Sequence, residues 1–167
     1  MRETKFKLYL SHPFRSRKRL RKWELGFEER TGVPLINPFY EIIGNNSSER
    51  CRNIGVVSRD ISQIIKSKGV LTIVDGSLSY GTIQEMVYSK LNDRPVYSVI
   101  TNGSHDHPWL KYHSNKIFRC LGDFENWFTR DCPYCKEDKM HVININKKLK
   151  TEMFECGCGK TWLERTK

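Results

Sequence analysis

Residues 70–74, VLTIV, offer no strongly polar side chain at any position, and no other stretch constrains the fold as tightly. A strand with one wet face alternates apolar and polar residues. A continuous apolar run belongs to a strand covered on both faces, the usual state of a strand inside a parallel sheet. The neighbours agree. Before it, Ile54, Val57, Ile61, Ile64 and Ile65 share one face of a helix predicted over 54–67; after it, a helix is predicted over 79–92. The alternation continues along the chain. KFKLYL (5–10) reads as a first strand ended by Ser11-His12-Pro13, and 15–31 as a helix carrying Leu20, Trp23, Leu25 and Phe27 and stopped by Gly32. VPLINP (33–38) is a short second strand, VYSVI (96–100) a strand opened by Pro95, and DFENWF (123–128) a closing helix. Strands alternating with helices imply an α/β fold with a doubly wound, mostly parallel sheet of Rossmann type.

Such sheets bind ligands at the carboxyl ends of their strands. Here those ends are residues 11–15, 37–40, 75–82 and 101–105, where polar residues and glycines gather. Residues 39–53 form a polar loop centred on GNNSS, whose length beside a compact domain reads as a lid.

The chain of 167 residues carries a net charge of +10, and both its front part and its last 36 residues are basic. The densest cluster is Arg15, Arg17, Lys18, Arg19, Arg21 and Lys22, which serves either as a solvated helix face or as an anion-binding surface. No run approaches the ~20 apolar residues of a membrane span, and MRETKFKLYL has no apolar leader, so a cytoplasmic protein with no membrane partner is expected.

The tail is too short to hold itself by a hydrophobic core. CPYC (132–135) and CGCG (156–159) bracket HVININKKLKTEMFE, which alternates like a β-hairpin. Thiolates from two turns on neighbouring strands make a tetrahedral zinc site, so Cys132, Cys135, Cys156 and Cys158 are expected to bind a structural Zn²⁺, with His141 as the alternative to one of them. In a chain with no leader, two such pairs favour metal over disulfides. Cys51 and Cys120 lack visible partners and read as packed or loop cysteines. The predicted division is therefore a domain over 1–130 and a small β zinc ribbon over 131–167. A closed Cys₄ site is structural and has no catalytic role.

The chemistry-bearing stretch is VLTIVDGSLSYGTIQEM (70–86). Amides at the start of its helix, with the Ser79 and Thr82 hydroxyls, form a natural anion cradle. Glu85 lies one to two turns further on and can face the same pocket. Singly, Ser79 reads as an ordinary N-cap and Glu85 as a solvated carboxylate.

Taken together, LYLSHPF (8–14), INPF (36–39), SRDISQIIKSKGVLTIVDG (58–76), SYGTIQE (79–85) and RPVYSVI (94–100) resemble the nucleoside 2-deoxyribosyltransferase-like superfamily, over about residues 5–128 and in the family's order and spacing. That group includes transferases and 5′-nucleotide N-glycoside hydrolases. The resemblance implies Glu85 as nucleophile at C1′, Asp60 as the proton-handling partner, and Tyr9 as a residue positioning Glu85. The transferases that act on free nucleosides carry an aspartate six residues before the nucleophile; this chain has Ser79 there, as the nucleotide hydrolases do. With Arg15 as a basic phosphate contact, and Asn37, Gly81 and Thr82 around the ligand, the resemblance implies a nucleoside 5′-monophosphate substrate. It also implies a homo-oligomer. A deoxyribosyltransferase, an NAD-cleaving glycohydrolase, and a non-catalytic protein that binds nucleotides, or nucleic acid through its basic surface or ribbon, are the alternatives.

Overall fold

The computed structural model describes residues 6–40, 55–76, 79–129, 140–146, 151–156 and 160–165, with the backbone alone over 140–146. Its larger sheet has five strands, all parallel: β1 (Leu8–Ser11), β2 (Leu35–Ile36), β3 (Gly69–Val74), β4 (Val96–Ile100) and β5 (Lys116–Phe118). Their spatial order is β2-β1-β3-β4-β5. The chain leaves β1 to one side for β2 and returns to the other for β3, so the order reverses between β1 and β3. At such a switch point adjacent loops diverge and open a crevice.

Among the described residues five α-helices cover the sheet: α1 (Arg17–Thr31), α2 (Gly55–Lys66), α3 (Tyr80–Leu91), α4 (Pro108–His113) and α5 (Leu121–Phe128). Alternation along the strands decides which residues each face presents. Leu8, Leu10, Leu71, Ile73, Tyr97 and Val99 pack with Leu20 and Phe27 of α1 and Phe124 and Phe128 of α5. On the opposite face Tyr9 and Val70 meet Ile64 of α2, while Val96 and Ile100 meet Met86 of α3 and Leu110 of α4. Helices on both faces are why VLTIV has no wet side, and β3 is buried from Gly69 to Ile73. Gly32 ends α1 in the left-handed region at φ 68°, the conformation that favours glycine just past a helix.

Three features had no legible signal in the sequence. Strand β5 has three residues and α4 six, too few for either periodicity to register. The tail hairpin forms as β6 (Met140–Asn146) and β7 (Thr151–Cys156), and a third antiparallel strand, β8 (Thr161–Arg165), extends it. Glu152, Phe154 and Cys156, alternate residues of β7, all point inward. Phe154 belongs to the same core cluster as Phe124 and Phe128, and its ring stacks on Trp162 with centroids 5.6 Å apart. Buried Glu152 takes a hydrogen bond from Trp127 Nε1 at 3.1 Å and pairs with Lys116, joining the small sheet to β5 and α5. The expected domain boundary at 130/131 lies outside the described residues. Among the described residues no helix is long and apolar enough to cross a membrane.

Candidate active site

Tyr9 and Ser11, two apart on β1, face α2 and α3, and both are fully buried. Glu85 is five residues past the start of α3, which lies against β1 and β3. Tyr9 Oη donates to Glu85 Oε1 at 2.8 Å, and Ser11 Oγ donates to Glu85 Oε2. Each carboxylate oxygen is thus held by a different hydroxyl. The same carboxylate borders a cavity of about 260 Å³ whose walls include Asp60 and Ile61 from α2 and Tyr80, Gly81 and Tyr88 from α3. Asp60 is 3.4 Å from Arg59 Nη2 and shares this cavity with Glu85. Tyr9, Asp60 and Glu85, scattered over the chain, therefore converge at one place.

The expected phosphate contacts divide. Ser79 caps α3: its Oγ accepts from Thr82 N at 3.3 Å and from Thr82 Oγ1 at 3.1 Å, leaving its own proton for an outside acceptor. Both residues border a second cavity of about 350 Å³, formed with Asn102, His107 and Trp109 from the segment after β4, while Gly81 borders the Glu85 cavity. The helical repeat accounts for this. Six residues at 3.6 per turn rotate Ser79 about 120° from Glu85, and a 1.5 Å rise separates them by about 9 Å along the axis. Arg15 is exposed on the 3₁₀ turn Phe14–Ser16 and has no hydrogen bond or ion pair among the described residues.

Asn37 sits in a closed arrangement. Its Nδ2 donates to Glu24 Oε2 at 3.0 Å and lies 3.3 Å from His12 Nε2, while its Oδ1 accepts from Phe39 N at 3.0 Å. With Asn37, Glu24 and His12 all buried, this amide ties the β1 and β2 exit loops to α1 and offers no free group to a ligand. Burial raises the Glu24 pKa above its ordinary 4.5, against the Arg21 guanidinium 2.8 Å away; burial lowers that of His12 from 6.5, against its bond to the Pro13 carbonyl.

Sequence reasoning did not single out Ser11, Ser16, Asp75 or Glu24 as members of the site. For Ser11 a signal existed, since period-2 alternation puts it on the face of Tyr9. Asp75, at the end of β3, accepts from Ser16 Oγ and from Arg19 Nη2 at 2.8 Å, bridging the β1 and β3 exits across the switch point. Within the basic cluster, Arg17 stacks on Phe14 at 3.7 Å and Arg21 on Tyr40 at 4.5 Å, so half of its members have partners. No acidic residue stands in the first turn of α1 to offset them.

Of the expected metal ligands, Cys132, Cys135 and Cys158 lie outside the described residues, and His141 is described by its backbone only. Cys156 is buried at the end of β7 and stands in register opposite Met140, the first residue of β6.

A five-stranded parallel sheet in this order is a doubly wound α/β architecture, in which ligands bind at the switch point. The chain has the same fold as the 2-deoxyribosyltransferase of the psychrotolerant bacterium Bacillus psychrosaccharolyticus: TM-score 0.58 and 21% identity, over 72% of this chain and 90% of that one. At this identity the likeness establishes the fold alone. A CMP N-glycosidase of Clostridium botulinum aligns over 72% of this chain and 95% of its own, with TM-score 0.49 and 14% identity, too slight a match to carry an argument. No family model and no curated protein sequence matches the chain.

Proposed function

We infer that the protein cleaves the N-glycosidic bond of nucleoside 5′-monophosphates, the 2′-deoxy forms foremost, with Glu85 as nucleophile. The observation that carries this reading is the Glu85 carboxylate, gripped through both oxygens by Tyr9 and Ser11 beside Asp60 in one cavity at the switch point. A carboxylate merely solvating a helix surface has no use for two buried hydroxyl donors. As the base leaves C1′ the sugar gains oxocarbenium character, which an adjacent carboxylate stabilises and then traps as an ester. Glu85 bonds to C1′ while the C1′–N bond breaks, and the base departs with the electron pair and a proton from Asp60. Water then bonds to C1′, its proton passes to Asp60, and the electron pair of the C1′–O bond returns to Glu85. A second base in place of water would give transfer instead.

The phosphate assignment draws on Ser79, whose free proton and helix-terminal amides suit an anion, and on Arg15. The tail, in this reading, holds a structural zinc through Cys132, Cys135, Cys156 and Cys158 and takes no part in the reaction.

One experiment tests the catalytic reading. Purified protein is incubated with deoxynucleoside monophosphates, the corresponding deoxynucleosides and NAD, and free base is measured by chromatography. Base release from the monophosphates, abolished in Glu85→Ala, is expected. Release from deoxynucleosides with equal efficiency makes the protein a deoxyribosyltransferase-type enzyme, and release from NAD alone makes it a glycohydrolase of that cofactor. No release from any of them leaves a binding protein.

A further inference from the structure

Beneath α3 the sheet carries a row of hydroxyls. Ser11, Thr72 and Ser98 are register partners on β1, β3 and β4, and strand alternation puts all three on the face of Tyr9. All three are buried, among Val70, Val96 and Ile100 of the same face. Ser98 pairs with Ser114 Oγ at 2.6 Å, and Ser114 Oγ also contacts the Leu110 carbonyl at 2.6 Å, so that hydroxyl is spent on fastening α4. The Ser11 hydroxyl is spent differently, on the Glu85 oxygen that Tyr9 does not hold. Burying a hydroxyl costs free energy that only its hydrogen bond offsets, and alanine would pack here without that cost. Thr72 Oγ1, the next in the row, is buried without a hydrogen-bond partner, so what distinguishes Ser11 is its bond to the carboxylate.

We propose that Ser11 is a positioning residue for Glu85, acting mainly in the second half of the reaction; this rests on Glu85 being the nucleophile. An ionised carboxylate has about four lone-pair sites. One hydroxyl on each oxygen fixes the plane of the group and still leaves a lone pair for C1′. When the glycosyl ester forms, the carboxylate charge is consumed, so a donor to that charge adds little to the rate. When water attacks C1′ and the bond to Glu85 breaks, the charge returns to the carboxylate. The Ser11 and Tyr9 hydroxyls are already oriented to receive it. Losing the Ser11 hydroxyl thus slows release of the sugar phosphate more than release of the base.

The test is Ser11→Ala with a deoxynucleoside monophosphate, alongside Thr72→Val, which removes the neighbouring hydroxyl of the row. Kinetics are combined with intact-protein mass spectrometry of quenched turnover mixtures. The expected result for Ser11→Ala is a kcat lower by about tenfold to a hundredfold, with KM lowered as well because the covalent intermediate accumulates. The adduct should be enriched over wild type, and Thr72→Val should resemble wild type. A wild-type kcat in Ser11→Ala overturns the proposal. So does a loss of kcat/KM without adduct that Thr72→Val reproduces, since that is the signature of packing. Failure of the underlying reading looks different: wild type releases no base, or Glu85→Ala releases it at the wild-type rate.

Discussion

Tyr9 and Glu85 are 76 positions apart in the chain and joined by a 2.8 Å hydrogen bond from the phenol to the carboxylate. The bond spans from β1 to α3 across the point where the strand order reverses. It turns two residues of ordinary type into a held carboxylate at the border of a cavity, and the enzymatic reading depends on it. Removing Glu85 as alanine or glutamine should lower base release by about 10³-fold or more, because a covalent nucleophile has no substitute. Tyr9→Phe keeps the packing and removes one donor, and should cost about tenfold to a hundredfold. Steady-state rates of base release check both.

Asp60 shares the Glu85 cavity and lies 3.4 Å from Arg59 Nη2. Asp60→Asn preserves the shape and removes the exchangeable proton, so kcat should fall by about 10²- to 10⁴-fold. The loss should shrink for substrates whose base leaves without protonation. Comparing nucleotides with good and poor leaving bases measures that difference.

Phosphate recognition separates the nucleotide reading from the nucleoside one. Each charge-assisted hydrogen bond to the phosphate is worth roughly 1.5–3 kcal/mol, so the dephosphorylated substrate should be at least about tenfold poorer in kcat/KM. Arg15→Ala should raise KM for the monophosphate and leave the free nucleoside unaffected. Ser79→Asp keeps an N-cap acceptor for α3 while repelling the phosphate, and should narrow or reverse the preference. Equal efficiency of wild type on both substrates would falsify the phosphate assignment.

The buried cluster of His12, Asn37 and Glu24 gives stability a pH dependence of two signs. Burial raises the Glu24 pKa from 4.5, so its contribution is fully present below that value and is lost as pH rises through the raised pKa. Burial lowers the His12 pKa from 6.5, so its contribution is present above 6.5 and is lost as pH falls through the lowered pKa. Glu24→Gln cannot ionise and still accepts from Asn37, so it should flatten the loss on the alkaline side only. Thermal unfolding midpoints from pH 4 to 8 (about the span of both groups) check the slope in each direction.

The tail makes a separate claim. Metal analysis should find about one zinc per chain, and Cys132→Ser or Cys156→Ser should lose it and expose the last 36 residues to protease. Zinc-free protein with a protease-resistant tail ends the ribbon reading. Glu152 supplies a second handle, independent of metal. Glu152→Ala leaves Lys116 and the Trp127 N–H without their acceptor and should cost about 1–3 kcal/mol in urea unfolding while zinc content stays unchanged.

What the sequence determined by itself is local. The VLTIV run required a strand covered on both faces, Gly32 ended α1, and Ser79 capped α3, because each depends on side chains within a few residues of one another. Alternation put Tyr9 and Ser11 on one face, though not what that face would meet. The strand order supplied the rest. It seated α3 over β1 and so brought Glu85 to both hydroxyls; it enclosed Asn37 between Glu24 and His12, spending an amide that the sequence offers to a ligand. Strand β5 exists because β4 presents an unpaired edge to Lys116–Phe118, three residues too few to announce themselves. Glu152, one of four glutamates in a basic tail, became a buried junction only once Trp127 and Lys116 closed on it. Periodicity assigns residues to faces over short distances; which faces meet is decided by packing, which acts between residues far apart in the chain.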